Sequence, residues 1–196
     1  MKPHAWPLSA AIALAAPSAH AHLVETGFGG FYDGIAHVVA TPADLLVVLA
    51  LALLAGQRGA PAARVALFAL PLAWLAGGMI GARWPQAAHP AWTTLPFLLA
   101  GALVALDARI RAAGVATLAA AAGLLHGLVN GATLAPSGAG ALALGGATTA
   151  VFCLAAIVSA EVTALSAGWT RIAVRVGGSW IAAAGLLMLG WLARGG

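Results

Sequence analysis

Apolar residues fall in six long runs separated by short polar connections. The runs lie near residues 36–55, 65–82, 92–106, 113–129, 141–160 and 172–193. Most approach the roughly 20 residues that a helix needs to cross about 30 Å of hydrocarbon. None alternates with the period of two that an outer-membrane barrel strand requires. Ala and Leu dominate the runs, and both favour helix. The connections carry turn chemistry: Gln57-Arg58-Gly59-Ala60-Pro61, Arg83-Trp84-Pro85, Asp107-Ala108-Arg109 and Ala135-Pro136-Ser137-Gly138. No linker or second soluble domain interrupts them. The pattern predicts an all-α fold: a polytopic membrane helix bundle of about six transmembrane helices, occupying residues 22–196.

The segment before the first run reads differently. Lys2 gives residues 1–21 a basic start, Ala10 to Ala16 form a short apolar stretch, and Ala19-His20-Ala21 is a small-x-small cleavage site. This is the pattern of a secretory signal peptide, too short for a stable span. Cleavage after Ala21 would make His22 the new N-terminus and place it outside. An uncleaved anchor is the alternative.

Composition agrees with a membrane chain. Of the 196 residues, 62% are hydrophobic and 7% charged, against about 25% charged in a soluble domain. Mean hydropathy is +0.99. The net charge of +4 does not point to nucleic acid, because the arginines lie singly or in pairs between apolar runs. With the N-terminus outside, connections one, three and five face the cytoplasm. They carry Arg58 and Arg64, Arg109 and Arg111, then Arg171 and Arg175, whereas the outer side has only Arg83 and Arg194. Positive residues are enriched on the cytoplasmic side of membrane proteins, so charge and signal agree on orientation. The single cysteine, Cys153, allows no internal disulfide and reads as a small buried hydrophobe.

Ionisable groups at membrane depth are costly and are functional candidates by default. The first cluster is Asp33, His37 and Asp44, with His22 and Glu25 ahead of it. On one continuous helix these spacings place Asp33, His37 and Asp44 on roughly one face, with Thr41 between them. Imidazole with carboxylate suits a borderline divalent ion such as nickel, cobalt or zinc. The plainer alternative is that Asp33 caps the first helix and His37 bonds a neighbouring one. The second cluster is His126 and Asn130, with Gly127 and Gly131 suited to a close helix crossing. Its alternative is an interhelical hydrogen bond that aids packing. Both clusters fall on the outer half of the bundle. His22, as a terminal residue, offers an amine and an imidazole to a metal, or is simply solvated. His89 reads as an exposed loop residue. Glu161 is expected to pair with Arg171 or Arg175, and Asp107 to end the third helix. No phosphate-binding Gly-Lys-Ser/Thr loop, no His-Glu-x-x-His and no persuasive Ser/His/Asp set occurs, which argues against an enzyme.

At these clusters the chain resembles the HupE/UreJ family of small membrane proteins. The matching residues are His37-Val38-Val39-Ala40-Thr41-Pro42-Ala43-Asp44 in the first span and Leu70 to Gly81 in the second. The fourth span matches through His126, Gly127, Asn130 and Gly131, followed by Pro136. The family's Asp-His pair falls on Ala43-Asp44, and the second histidine of its later motif falls on Asn130. Its acidic residue after that motif has no match near Thr133, and a fifth-span histidine is absent near Cys153. Either Asp44 replaces a histidine ligand by a carboxylate, or the site has decayed and the protein has another role. The resemblance implies a multi-pass protein of the bacterial inner membrane that handles a divalent metal ion, nickel foremost, as cargo rather than as a tightly bound cofactor. His37, Asp44, His126 and Asn130 would form the site, with His22 and Asp33 at its mouth. The expected partners are the lipid bilayer, the metal ion and metalloenzyme maturation proteins. A permease is the leading reading. A non-transporting accessory for metalloenzyme maturation, handling nickel or copper, is the alternative.

Overall fold

Prolines and glycines set where the helices begin. Pro42, Pro61 and Pro90 each stand in the first turn of a helix. There the missing N–H would have had no partner, and the ring pre-sets φ. The computed structural model describes residues 25–84, 89–138, 140–166 and 168–194. It contains α1 (Gly30–Ala40), α2 (Pro42–Gln57), α3 (Ala60–Arg83), α4 (Pro90–Ala105), α5 (Ala112–Leu134), α6 (Gly140–Ala164) and α7 (Gly168–Leu192). A short 3-10 turn at Ala135–Ser137 follows α5. No strand occurs among the described residues. The expected signal peptide at 1–21 and His22 lie outside them.

The six apolar runs appear as α2 to α7, and the membrane bundle is all-helical. Four helices, α3, α5, α6 and α7, are long and apolar enough to cross a membrane. The bent pair α1 and α2 makes a fifth span if counted as one. The remaining run, α4, is apolar but only 16 residues long. Length and composition thus give four to five spans where about six were expected.

The first run is not one straight helix. α1 and α2 meet at a bend of 76°. Thr41 between them is extended, at φ −92° and ψ 105°, as expected for a residue before proline. Pro42 has no N–H to offer the carbonyl of Val38, and the helix breaks there, whereas α3 and α4 run on through Pro71 and Pro96. Asp33, His37 and Asp44 therefore do not share one continuous helical face, which corrects the spacing argument.

Packing relies on small residues, as it does where lipid replaces the hydrophobic effect between helices. A Cβ at Gly127 or Gly131 of α5 would overlap the carbonyl of Trp74 or Gly78 on α3. The close crossing expected at these two glycines is present. Gly77 and Gly81 make the reciprocal approach from α3. Gly34 and Gly146 do the same between α1 and α6, and Gly101 and Gly178 between α4 and α7. α2 sits in the middle and touches all six other helices. Its Val47, Val48, Ala50, Leu51 and Leu54 are buried.

The outer faces are apolar too. Phe68, Leu72, Leu99, Ile157, Trp180 and Leu187 are exposed, as lipid-facing side chains are. Cys153 is among the exposed residues, so it is not the buried hydrophobe expected. In a membrane bundle the lipid face is as hydrophobic as the core, and hydropathy cannot separate the two.

The arginines gather at one end. Arg58, Arg109, Arg171 and Arg175 line one cavity, so connections one, three and five meet there. Asp107 follows the end of α4 in a left-handed conformation (φ 50°). It pairs with Arg58 rather than with the adjacent Arg109. Arg175 Nε donates to the Ala105 carbonyl at 2.9 Å. Glu161, on the exposed side of α6, forms no ion pair with Arg171 or Arg175, contrary to expectation.

Candidate functional site

The break at Thr41 leaves Asp44 in the first turn of α2. Unpaired N–H groups and the helix dipole favour a negative charge there. Asp44 is nonetheless only 3% exposed, and a buried carboxylate needs partners. α5 supplies them. His126 and Asn130 lie one helical turn apart and so point from the same face. Asp44 Oδ1 lies 2.7 Å from His126 Nδ1. Asn130 Nδ2 donates to Asp44 Oδ2 at 2.8 Å, and also to the His126 carbonyl at 3.1 Å. An ionised carboxylate only accepts, so with Asp44 in that form His126 Nδ1 is the protonated nitrogen and donates a hydrogen bond to it.

That tautomer leaves Nε2 of His126 with its lone pair. Nε2 is buried and has no hydrogen-bond partner, as are Oδ1 of Asn130 and Nε1 of Trp74. Trp74 stacks on His126, with ring centroids 5.5 Å apart and planes 30° apart. A histidine whose Nδ1–H is held by a carboxylate, with Nε2 left open, is the arrangement found behind metal-ligating histidines.

His37 stands at the accessible side. Its Nε2 lies 3.9 Å from Asp44 Oδ2, and its side chain is 14% exposed against 4% for Asp44 and 0% for His126. Both oxygens of Asp44 are engaged by α5, with His37 beyond them. Among the described residues no three His, Cys, Asp or Glu side chains are placed to hold a metal ion together.

Of the expected site residues, the structure brings together Asp44, His126 and Asn130, and sets His37 beside them. Asp33 is held apart. Its Oδ1 accepts from both the backbone N–H and the hydroxyl of Thr26, each at 2.7 Å. It ties the chain before α1 to the first turn of that helix, and does not cap it: the cap position is Gly29, with no side-chain cap bond. His89 is exposed and caps α4, its Nδ1 accepting from Ala91 N at 3.2 Å.

Trp74 was not singled out from the sequence as part of a site. A signal existed. Trp74 precedes Gly77 by three residues and Gly81 by seven, which puts it on the face that meets α5.

No curated protein and no solved structure matches the chain. The family model described as HupE / UreJ protein matches residues 10–188. The chain therefore belongs to the HupE/UreJ family, a membrane family associated with nickel and cobalt transport.

Proposed function

We propose that the protein is a permease of the bacterial inner membrane for a divalent transition-metal ion, nickel foremost. The observation that carries this reading is the His126 ring. One nitrogen is fixed by a buried carboxylate and the other is buried without a partner. A buried polar atom left unpaired costs about 1–3 kcal/mol, so a site that keeps one has a use for it. Nε2 of His126 and Oδ1 of Asn130 are the donors offered to the ion. Nitrogen with oxygen suits a borderline divalent cation. Asp44 orients the histidine and supplies negative charge behind it. His37 relays the ion from the accessible side. His22 and Asp33, which precede these residues in the chain, are the proposed capture groups. The chain carries no nucleotide-binding motif, so movement follows a gradient or depends on a partner.

The test is accumulation of nickel, cobalt, copper and zinc by cells expressing the wild type, His126→Ala or His37→Ala, with membrane insertion checked by blotting. Both variants are expected to insert and to lose uptake. Unchanged accumulation in both removes the site assignment.

One observation favours a second reading, a non-transporting membrane accessory for metalloenzyme maturation. No three ligand side chains converge among the described residues, so the ion's coordination would have to be completed by another molecule. Under that reading, purified protein shows no uptake in vesicles, yet the same two variants lower metalloenzyme activity in the cell.

A further inference from the structure

The arginine end of the bundle holds a cavity of about 350 Å³, within the size range of ligand pockets. Arg58 and Gln57 reach it from the α2–α3 connection, Asp107 and Arg109 from the α4–α5 connection, and Arg171 and Arg175 from the first half of α7. Four guanidiniums thus face one carboxylate. Asp107 is committed to Arg58. Arg109 and Arg171 form no ion pair among the described residues. Nε of Arg58 is buried without a hydrogen-bond partner, as is Oε1 of Gln57. Asp44 lies about 20 Å away along the axis of α2, so this cavity is separate from the histidine site.

Four like charges around one space repel one another, and among the described residues Asp107 neutralises only that of Arg58. Arg109, Arg171 and Arg175 are exposed, yet with Arg58 they come from three separate parts of the chain to line one space. We propose that the cavity is a binding site for a phosphate-bearing anion. Guanidinium forks pair bidentately with phosphate oxygens, and basic pockets between helices on the cytoplasmic side take phospholipid head groups. The phosphate comes either from an anionic phospholipid of the inner leaflet or from a free phosphate ion.

Native mass spectrometry of the purified full-length protein in an uncharged detergent separates these sources. The probes are phosphatidylglycerol, phosphatidylcholine and inorganic phosphate. The variant is Arg109→Gln/Arg171→Gln. The control is Arg64→Gln/Arg111→Gln, which removes the same charge from the same end but outside the cavity. The cavity variant removes two guanidinium contacts to the phosphate and is expected to weaken phosphatidylglycerol binding at least about tenfold, while the control keeps it. Tight phosphatidylglycerol binding assigns the lipid source, and inorganic phosphate binding with the same dependence assigns the free ion. Should the double variant not insert, Arg171→Gln alone carries the comparison. Equal weakening by cavity variant and control overturns the proposal. So does a wild type that binds phosphatidylglycerol no better than phosphatidylcholine and binds no inorganic phosphate.

Discussion

Asp44 is the residue on which the polar interior depends. It bonds one nitrogen of the His126 ring and the amide nitrogen of Asn130 at once. Asp44→Ala leaves two donors buried without an acceptor. The expected loss of stability is about 2–4 kcal/mol, since hydrogen bonds to charged groups and orphaned buried donors each weigh this heavily. Thermal unfolding in detergent measures it, and an unchanged midpoint would show that the two contacts carry little. Asp44→Asn keeps the volume and one acceptor. It should lose less stability and yet abolish uptake, because the amide no longer fixes the proton on Nδ1. The three members of this cluster were legible in the sequence because a polar side chain stands out in an apolar run. Their pairing was not, since 82 positions separate Asp44 from His126. Trp74 stayed hidden because an aromatic residue does not stand out among apolar neighbours.

Between helices, the seam of α3 against α5 is set by backbone approaching backbone. Gly127→Leu would drive a side chain into the Trp74 carbonyl. Overpacking of this kind costs about 1–3 kcal/mol, and here it would also push His126 away from Asp44. Gly145→Ala is the matched comparison, because a Cβ there meets nothing within 4 Å. It should leave the unfolding midpoint unchanged or slightly raised. Equal damage from both would mean that the seam is looser than its geometry. The crossing at Gly127 and Gly131 was readable from the four-residue repeat of a residue without a side chain. The bend at Thr41 falls at Pro42, but Pro71 and Pro96 lie inside unbroken helices, so a proline alone did not announce it. Helical spacing counted through a proline treated two elements as one and put Asp33 with Asp44.

For the whole molecule, orientation is the property most open to a direct check. With Cys153→Ser as background, Arg111→Cys should react with an impermeant maleimide only in inverted vesicles. Arg83→Cys should react only in right-side-out ones. The reverse pattern would turn the bundle over and place the histidine site at the cytoplasmic face. The clustering of arginines at one end was legible because each odd-numbered connection carries them. The enclosure they build was not, because closure depends on how α2, α4 and α7 come together.

The short helices have a consequence for the membrane itself. α2 and α4 pack side by side, and each rises only about 24 Å, whereas the four long helices rise about 35–38 Å. Trp92, Leu95 and Leu99 of α4 face outward, so lipid meets this short element directly. A hydrocarbon layer of about 30 Å exceeds that rise, and such a mismatch is met by local thinning of the bilayer, by snorkelling flanks or by oligomerisation. Where thinning meets the mismatch, the bilayer dips on the α4 side. Short or disordered acyl chains are favoured in that dip, and a thicker bilayer strains α4 before it strains any of the long helices.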